Sequence, residues 1–372
     1  MSPESHPHPD SGTPSASAAD ARPAGAEPLV WADPARRAHF DRWLEAIAPR
    51  HGLEPGTVRM ASADASFRRY LRVDGAQGSR IIMDAPPDKE NCAPFVQVAT
   101  LLQQAGLLAP QVLEWQAEQG FMLLTDLGDR TMMSTLDPQQ PQAQQALYLQ
   151  AVDTLVTWQV ASRPGVLPPY DEALLRRELG LFPEWYLGHY RRHPLTDADR
   201  KVLETAFSRI VARNLASPSV YVHRDFMPRN LMVTDAGLAV LDFQDAVYGP
   251  ITYDIASLMR DAFLSWDDSF CLDITVRYWE RARRAGLPVG DDFGAFFQAV
   301  DYMALQRHLK VAGIFARLTL RDGKPKYLAD TPRFIAYIRA TCGRYDELRP
   351  LLRLLDRVEG VTPASGYAFG RL

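Results

Sequence analysis

The sequence predicts an α+β chain in two lobes, a small strand-rich lobe followed by a larger helical one with a β-hairpin set into it. Three observations carry this. Short apolar runs broken by Gly and Asp turns crowd residues 58–125, while apolar residues at helical spacing dominate from Gln139 onward. The stretch Tyr221–Phe243 returns to short strands inside the helical part. The 372 residues exceed one average domain, and 47% hydrophobic content is ample for a buried core.

Residues 1–30 are Pro, Ser, Ala, Gly and His with a few charges, which reads as a disordered tail. The tail lacks a basic start and an apolar core, so it does not read as a secretory signal. His6 and His8 read as solvated tail residues rather than as a metal site. From Asp33-Pro34 a helix is expected, with Pro at the first helical position. Phe40, Trp43, Leu44 and Ile47 form one face, and Pro49 is expected to stop it. A meander follows: Val58–Met60, Phe67–Val73 and Arg80–Asp84, turned at Asp74-Gly75 and Gln77-Gly78. Ala61–Ser66 is a run of small residues, open either to backbone contact with phosphate or to a plain hairpin turn. Arg68 and Arg69 are adjacent, so on a strand they point to opposite faces.

A helix over roughly 92–105 buries Phe95, Val98, Leu101 and Leu102 and closes at Gly106. Strands Val112–Trp115 and Gly120–Thr125 come next. The break at Thr125-Asp126-Leu127-Gly128 suits either a hinge between lobes or a strand-to-helix turn. The lobes are therefore 31–127 and 128–372. Helices are expected over 146–160, over 174–190 with an interruption near Pro183, and over 197–215. After the inserted strands, Tyr248-Gly249-Pro250 ends the loop. Helices then start at Tyr253 and fill 267–285, 292–318 and 332–357.

Chemistry concentrates at His223-Arg224-Asp225, with Asn230 five positions after Asp225 and Asp242 at the end of an apolar strand. Phosphoryl transfer from a nucleotide needs a carboxylate at the attacking hydroxyl and oxygen ligands for Mg²⁺. The order H-R-D-x-x-x-x-N followed by a strand-end Asp supplies them. Asp225 is the candidate base, and Asn230 and Asp242 are the candidate Mg²⁺ ligands. An exposed turn accounts for any one of them alone, whereas the joint spacing favours an ATP-dependent kinase.

These segments, with Asp242–Leu258, Asp64–Tyr70, Met83–Pro87 and Leu305–Leu318, resemble the aminoglycoside phosphotransferase-like kinases. Within them the chain is most similar to bacterial anomeric sugar kinases acting on N-acetylmuramate and N-acetylglucosamine. The resemblance runs from about residue 35 to the end. It implies a two-lobed protein-kinase-like fold, ATP, Mg²⁺, and a sugar phosphorylated at its anomeric hydroxyl during cell-wall recycling. It also implies that Thr125 and Leu127 offer backbone groups to adenine, and that Ser66 and Phe67 lie in the phosphate-covering loop. An anomeric hydroxyl is more acidic than an ordinary sugar hydroxyl, so a carboxylate base suffices.

One departure stands out. Kinases carry a Lys on the third strand, and here the strand reads Ile81-Ile82-Met83-Asp84. Lys89, Arg68 and Arg69 are the candidates for the missing positive charge, and Glu90 is the nearest partner carboxylate. On the helix 292–318, Arg307 falls on the apolar face with Gln306 and His308 beside it. A buried Arg is costly unless paired. Arg307 either braces a structural Asp or reaches a substituent of the sugar, with His308, Arg224, Arg229, Arg260 and Lys310 as other substrate candidates. Asp254 is expected to brace the catalytic loop.

The net charge of −4 recruits no nucleic acid, and no apolar run reaches the roughly 18 residues of a membrane span. Cys92, Cys271 and Cys342 are too few and too scattered for a disulfide framework, which fits a reducing cytoplasm. The oligomeric state is open, with a monomer plausible. An aminoglycoside or choline-like acceptor is the enzymatic alternative, although residues 255–320 mix acids with bases rather than presenting an acidic surface to a polycation. A non-catalytic nucleotide sensor is suggested by the missing strand Lys alone.

Overall fold

The structure, a computed structural model, describes residues 29–63 and 67–361, so the tail through residue 28 and Asp64, Ala65 and Ser66 lie outside the described residues. The chain divides into two compact units. One holds the residues up to Glu90 with Leu113–Asp126, and the other holds Asn91–Val112 with Leu127 onward. The chain crosses between them three times, and the third crossing, from Asp126 to Leu127, falls within the expected hinge. Residues 91–112, placed by sequence with the first lobe, group with the second unit.

In the first unit, helix α1 (Pro34–His51) is opened by Asp33, whose side chain accepts from the Ala35 N–H at 2.8 Å. The helix does not stop at Pro49, because one ring in the last turn removes a single bond. It runs on to His51 and is closed by left-handed Gly52. Strands β1 (Arg59–Ala63), β2 (Arg69–Val73), β3 (Arg80–Asp84), β4 (Val112–Gln116) and β5 (Phe121–Thr125) form one sheet in the order β1-β2-β3-β5-β4. Alternate residues Leu71, Val73, Ile82, Phe121 and Leu123 meet Phe40, Trp43, Leu44 and Ile47 of α1 in the core. Gly120 opens β5 at φ +70°, and a Cβ there would stand 1.9 Å from the Ala85 carbonyl oxygen. Only Gly fits both demands.

The second unit contains α2 (Ala93–Gln104), the short α3 (Met132–Thr135), α4 (Pro141–Val160), α5 (Glu172–Leu181) and α6 (Asp197–Leu215). The expected interruption at Pro183 takes the form of a π-helix over Phe182–Tyr190. Two antiparallel two-stranded sheets follow: β6 (Ser219–Val222) with β9 (Val247–Pro250), and between them in sequence the hairpin of β7 (Leu231–Thr234) with β8 (Gly237–Val240). Strand β9 corrects the reading of Tyr248-Gly249-Pro250 as a loop end. Its Pro250 is tolerated as the last residue of a two-stranded ribbon.

Helices α7 (Thr252–Met259), α8 (Asp268–Arg284), α9 (Phe293–Leu320), α10 (Thr331–Arg344) and α11 (Arg349–Glu359) complete the unit. The single helix expected over 332–357 is two, because Pro350 can sit only in the first turn of a new helix. Helix α9 is buried on all sides from Val300 to Leu309. Its Gly313 lets it lie on α5, since a Cβ there would meet the Leu181 carbonyl oxygen at 2.4 Å. Gly313→Ala gains helix propensity but must push two backbones apart. We expect a net loss of about 1–3 kcal/mol, measurable by chemical denaturation.

Candidate active site

Strand β6 delivers the chain to His223, which is 1% exposed. The next residue, Arg224, takes φ +76°, a left-handed conformation costly for a side chain. Three hydrogen bonds hold it there. Asp254, in the first turn of α7, accepts from the His223 N–H at 2.7 Å and the Arg224 N–H at 3.0 Å. Arg307 Nη1 of α9 donates to the Arg224 carbonyl at 2.7 Å, and its guanidinium lies over the Tyr253 ring. His223 Nε2–H donates to the Leu241 carbonyl at 2.9 Å, and Nδ1 accepts from the Asp225 N–H at 3.3 Å. The imidazole is therefore a neutral strut between loop and strand, and burial pushes its pKa down to about 4.

Asp225 follows this clamp. Asn230 Nδ2 donates to the Asp225 carbonyl at 2.9 Å and lies 3.4 Å from Asp242 Oδ2. The Leu241 N–H donates to the Asn230 carbonyl, which fastens the two segments. Asp242 is also left-handed, at φ +61°, and Gln244 Nε2 donates to its Oδ1 at 2.9 Å. The five-residue spacing thus folds into one group of Asp225, Asn230 and Asp242. Burial works to raise the Asp225 pKa, but Lys310, Arg307 and Arg224 outweigh it and hold the carboxyl below the ordinary range. A carboxylate ionised in this way can accept a proton.

Behind the loop lies a buried network that the sequence reading did not assemble. Glu178 of α5 accepts from Arg224 Nη2 at 2.7 Å, sits 3.0 Å from Lys310 Nζ, and accepts from the Tyr170 hydroxyl. Glu178 is 5% exposed, and its pKa is lowered: burial opposes ionisation, but Lys310 and Arg224 prevail. The signal for it was present, because Glu178 falls on the apolar face of Leu175, Leu179 and Phe182.

In the first unit the strand carboxylate Asp84 is 1% exposed and held from both sides. Arg36 Nε donates to one oxygen at 2.9 Å and Arg69 Nε to the other at 3.0 Å. This answers how a carboxylate stands at the end of that strand, and it commits Arg69 to Asp84. Arg68 turns the other way and pairs with Glu90 at 3.0 Å. Lys89 lies over the exposed Phe67 ring at 5.0 Å. Thr125 ends β5, and Asp126 is tied back by Arg72 Nε at 2.6 Å and the Ser79 hydroxyl at 2.7 Å. Leu127 opens the second unit outside any strand.

Of the substrate candidates, Arg224 and Arg307 join the loop as described. Arg224 donates to Glu178 and to the Asp245 carbonyl, and Arg307 donates to the Arg224 carbonyl. His308 is not brought there. It stacks on Tyr337 of α10 at 4.8 Å and donates to the Arg260 carbonyl at 3.4 Å, since adjacent helical residues point about 100° apart. Burial pushes its pKa down to about 3. An unfolded chain takes up this proton near 6.5, so the stability from neutral His308 is present above that pH and lost as pH falls. Buried Asp254 and Asp261, raised to about 7 and 6 by burial, oppose the trend in the whole protein. The difference between wild type and His308→Phe isolates the term. It should shift by about 2 kcal/mol in the variant's favour from pH 7 to pH 5, read by urea denaturation at both values.

Comparison with known proteins agrees with this geometry. The profile of the phosphotransferase enzyme family matches residues 57–289. A Neisseria meningitidis protein named N-acetylmuramate/N-acetylglucosamine kinase is 46% identical over 327 residues, 87% of this chain and 96% of that protein. One of the same name from Pseudomonas putida is 47% identical, over 82% of this chain and 89% of that protein. The solved structure of a choline/ethanolamine kinase family protein from Mesorhizobium loti superposes with a TM-score of 0.59 at 14% identity, over 87% of this chain and 99% of that one. At that identity it bears on the fold alone, which is protein-kinase-like. By its catalytic loop, its fold and its relatives, the chain belongs to the phosphotransferase enzyme family.

Proposed function

We propose that this enzyme transfers the γ-phosphoryl group of ATP to the anomeric hydroxyl of N-acetylmuramate and N-acetylglucosamine. The observation that carries the reading is identity of 44–47% to three relatives of that name, spanning 89–97% of their lengths. The loop supplies compatible chemistry. Asp225, kept ionised, accepts the proton of an acidic anomeric hydroxyl and orients its oxygen.

Asn230 and Asp242 fit a magnesium ion. Their side chains lie together, with Asn230 Nδ2 3.4 Å from Asp242 Oδ2. Each carries a hard oxygen of the kind Mg²⁺ takes in small number, keeping waters and substrate phosphates as its other ligands. When bound, the ion neutralises charge on the phosphates. Arg68, braced by Glu90, takes the part of the missing strand Lys, because Arg69 is spent on Asp84. Lys89 beside Phe67 adds a second positive group. Thr125 and Leu127 remain the proposed backbone partners of adenine.

No helix among the described residues is long and apolar enough to cross a membrane. The reaction belongs to the cytoplasm, where ATP is available. Purified protein with ATP and Mg²⁺ should convert both sugars to 1-phosphates, read by phosphorus and proton NMR. Turnover of aminoglycosides or choline in their place, or phosphate on another carbon, overturns the reading.

A further inference from the structure

A kinase acting on both of these sugars faces a charge problem. N-acetylmuramate carries a lactyl carboxylate and N-acetylglucosamine does not. A buried cation dedicated to that carboxylate would be stranded when the neutral sugar binds. Sites that strand a polar group reject the lacking substrate by about 10⁴-fold or more. The cation that reads the carboxylate must therefore have an internal partner to return to, and that partner must not be orphaned when the cation leaves.

Three cations are linked to the catalytic loop: Arg224 precedes Asp225, Arg307 donates to the Arg224 carbonyl, and Lys310 joins Arg224 through Glu178. Arg307 is committed to the Arg224 carbonyl and the Tyr253 ring. Arg224 is fixed by its left-handed backbone and by its bond to Glu178. Lys310 differs. Its ammonium sits 3.0 Å from Glu178 and 3.4 Å from the Tyr253 hydroxyl, on a flexible four-carbon stem with a third donor to spare. Its side chain keeps 12% of its surface exposed, against 6% for Glu178. If Lys310 swings away, Glu178 still holds Arg224 Nη2 at 2.7 Å and the Tyr170 hydroxyl. Because Glu178 bridges Lys310 and Arg224, the ammonium is one carboxylate away from the residue before Asp225.

Resting on the amino-sugar reading above, we infer that Lys310 binds the carboxylate of the acidic sugar and that Glu178 holds Lys310 when the acceptor is neutral. Dual specificity follows. The acidic sugar gains an ion pair in a partly enclosed site, and the neutral one leaves no unpaired charge. Arg224 and Tyr170 keep Glu178 satisfied in either state.

The test compares kcat/KM for the two sugars in wild type and Lys310→Met, which keeps the stem and removes the charge. The ratio of N-acetylmuramate to N-acetylglucosamine should fall about 10–100-fold, chiefly through KM of the acidic sugar. A ratio within threefold of wild type overturns the inference, including the case where both sugars lose activity equally through Asp225. The methyl ester of N-acetylmuramate gives a second measurement on the wild-type enzyme. Its kcat/KM should lie at least tenfold below that of the free acid, and an ester as good as the acid overturns the inference without any variant. Wild-type enzyme that phosphorylates neither sugar overturns the amino-sugar reading itself, and this inference with it.

Discussion

Asp225→Asn should lower kcat by about 10²–10⁴-fold while leaving KM for ATP within about twofold. The amide has the shape of the carboxylate but cannot accept the proton of the attacking hydroxyl. The Lys310, Arg307 and Arg224 charges, which favour the ionised acid, then serve no base. The nucleotide is unaffected in this account, because Asn230 and Asp242 keep their own contacts. Steady-state kinetics with the preferred sugar, together with calorimetric titration of nucleotide, separate the two effects. Turnover like wild type would remove Asp225 as the base, and loss of nucleotide binding would make it a structural residue instead.

Asp254→Ala should cost about 2–5 kcal/mol of stability and most of the activity. It strips the acceptor from two N–H groups, those of His223 and Arg224, each costing about 1–3 kcal/mol when left unsatisfied. It also removes the restraint that keeps Arg224 at φ +76°, so the loop can relax and carry Asp225 with it. Asp254→Asn retains one carbonyl acceptor and should fall between. Thermal melts and kcat measured on both variants decide the matter. An unchanged melting temperature for Asp254→Ala would mean that the loop is held by other bonds.

The candidate site was legible in unequal parts. Asp225, Asn230 and Asp242 could be picked out because the phosphoryl-transfer chemistry proposed for them imposes a spacing along one continuous stretch of chain. The bracing role of Asp254 could be anticipated from its place after Tyr253 in the helix start. Arg307 was visible as a charge on an apolar helical face, but not its object, which is the Arg224 carbonyl. Glu178 carried the same signal and passed unremarked. His308 was misplaced beside Arg307, although one residue along a helix turns a side chain towards a different neighbour.

By itself the sequence determined the helices and strands with clear periodicity, the helix start at Asp33-Pro34, the three loop residues and the phosphoryl-transfer chemistry they imply. Each of these is encoded within a few neighbouring residues. Only the tertiary structure decided the partners of buried charges: Arg68 with Glu90, Arg69 with Asp84, and Lys310 and Arg224 with Glu178. It also revealed β9, the break before Pro350, and the two left-handed residues Arg224 and Asp242. The physical reason is common to them. Strain and buried charge are unfavourable locally, and persist only where elements distant in sequence supply the compensating bonds.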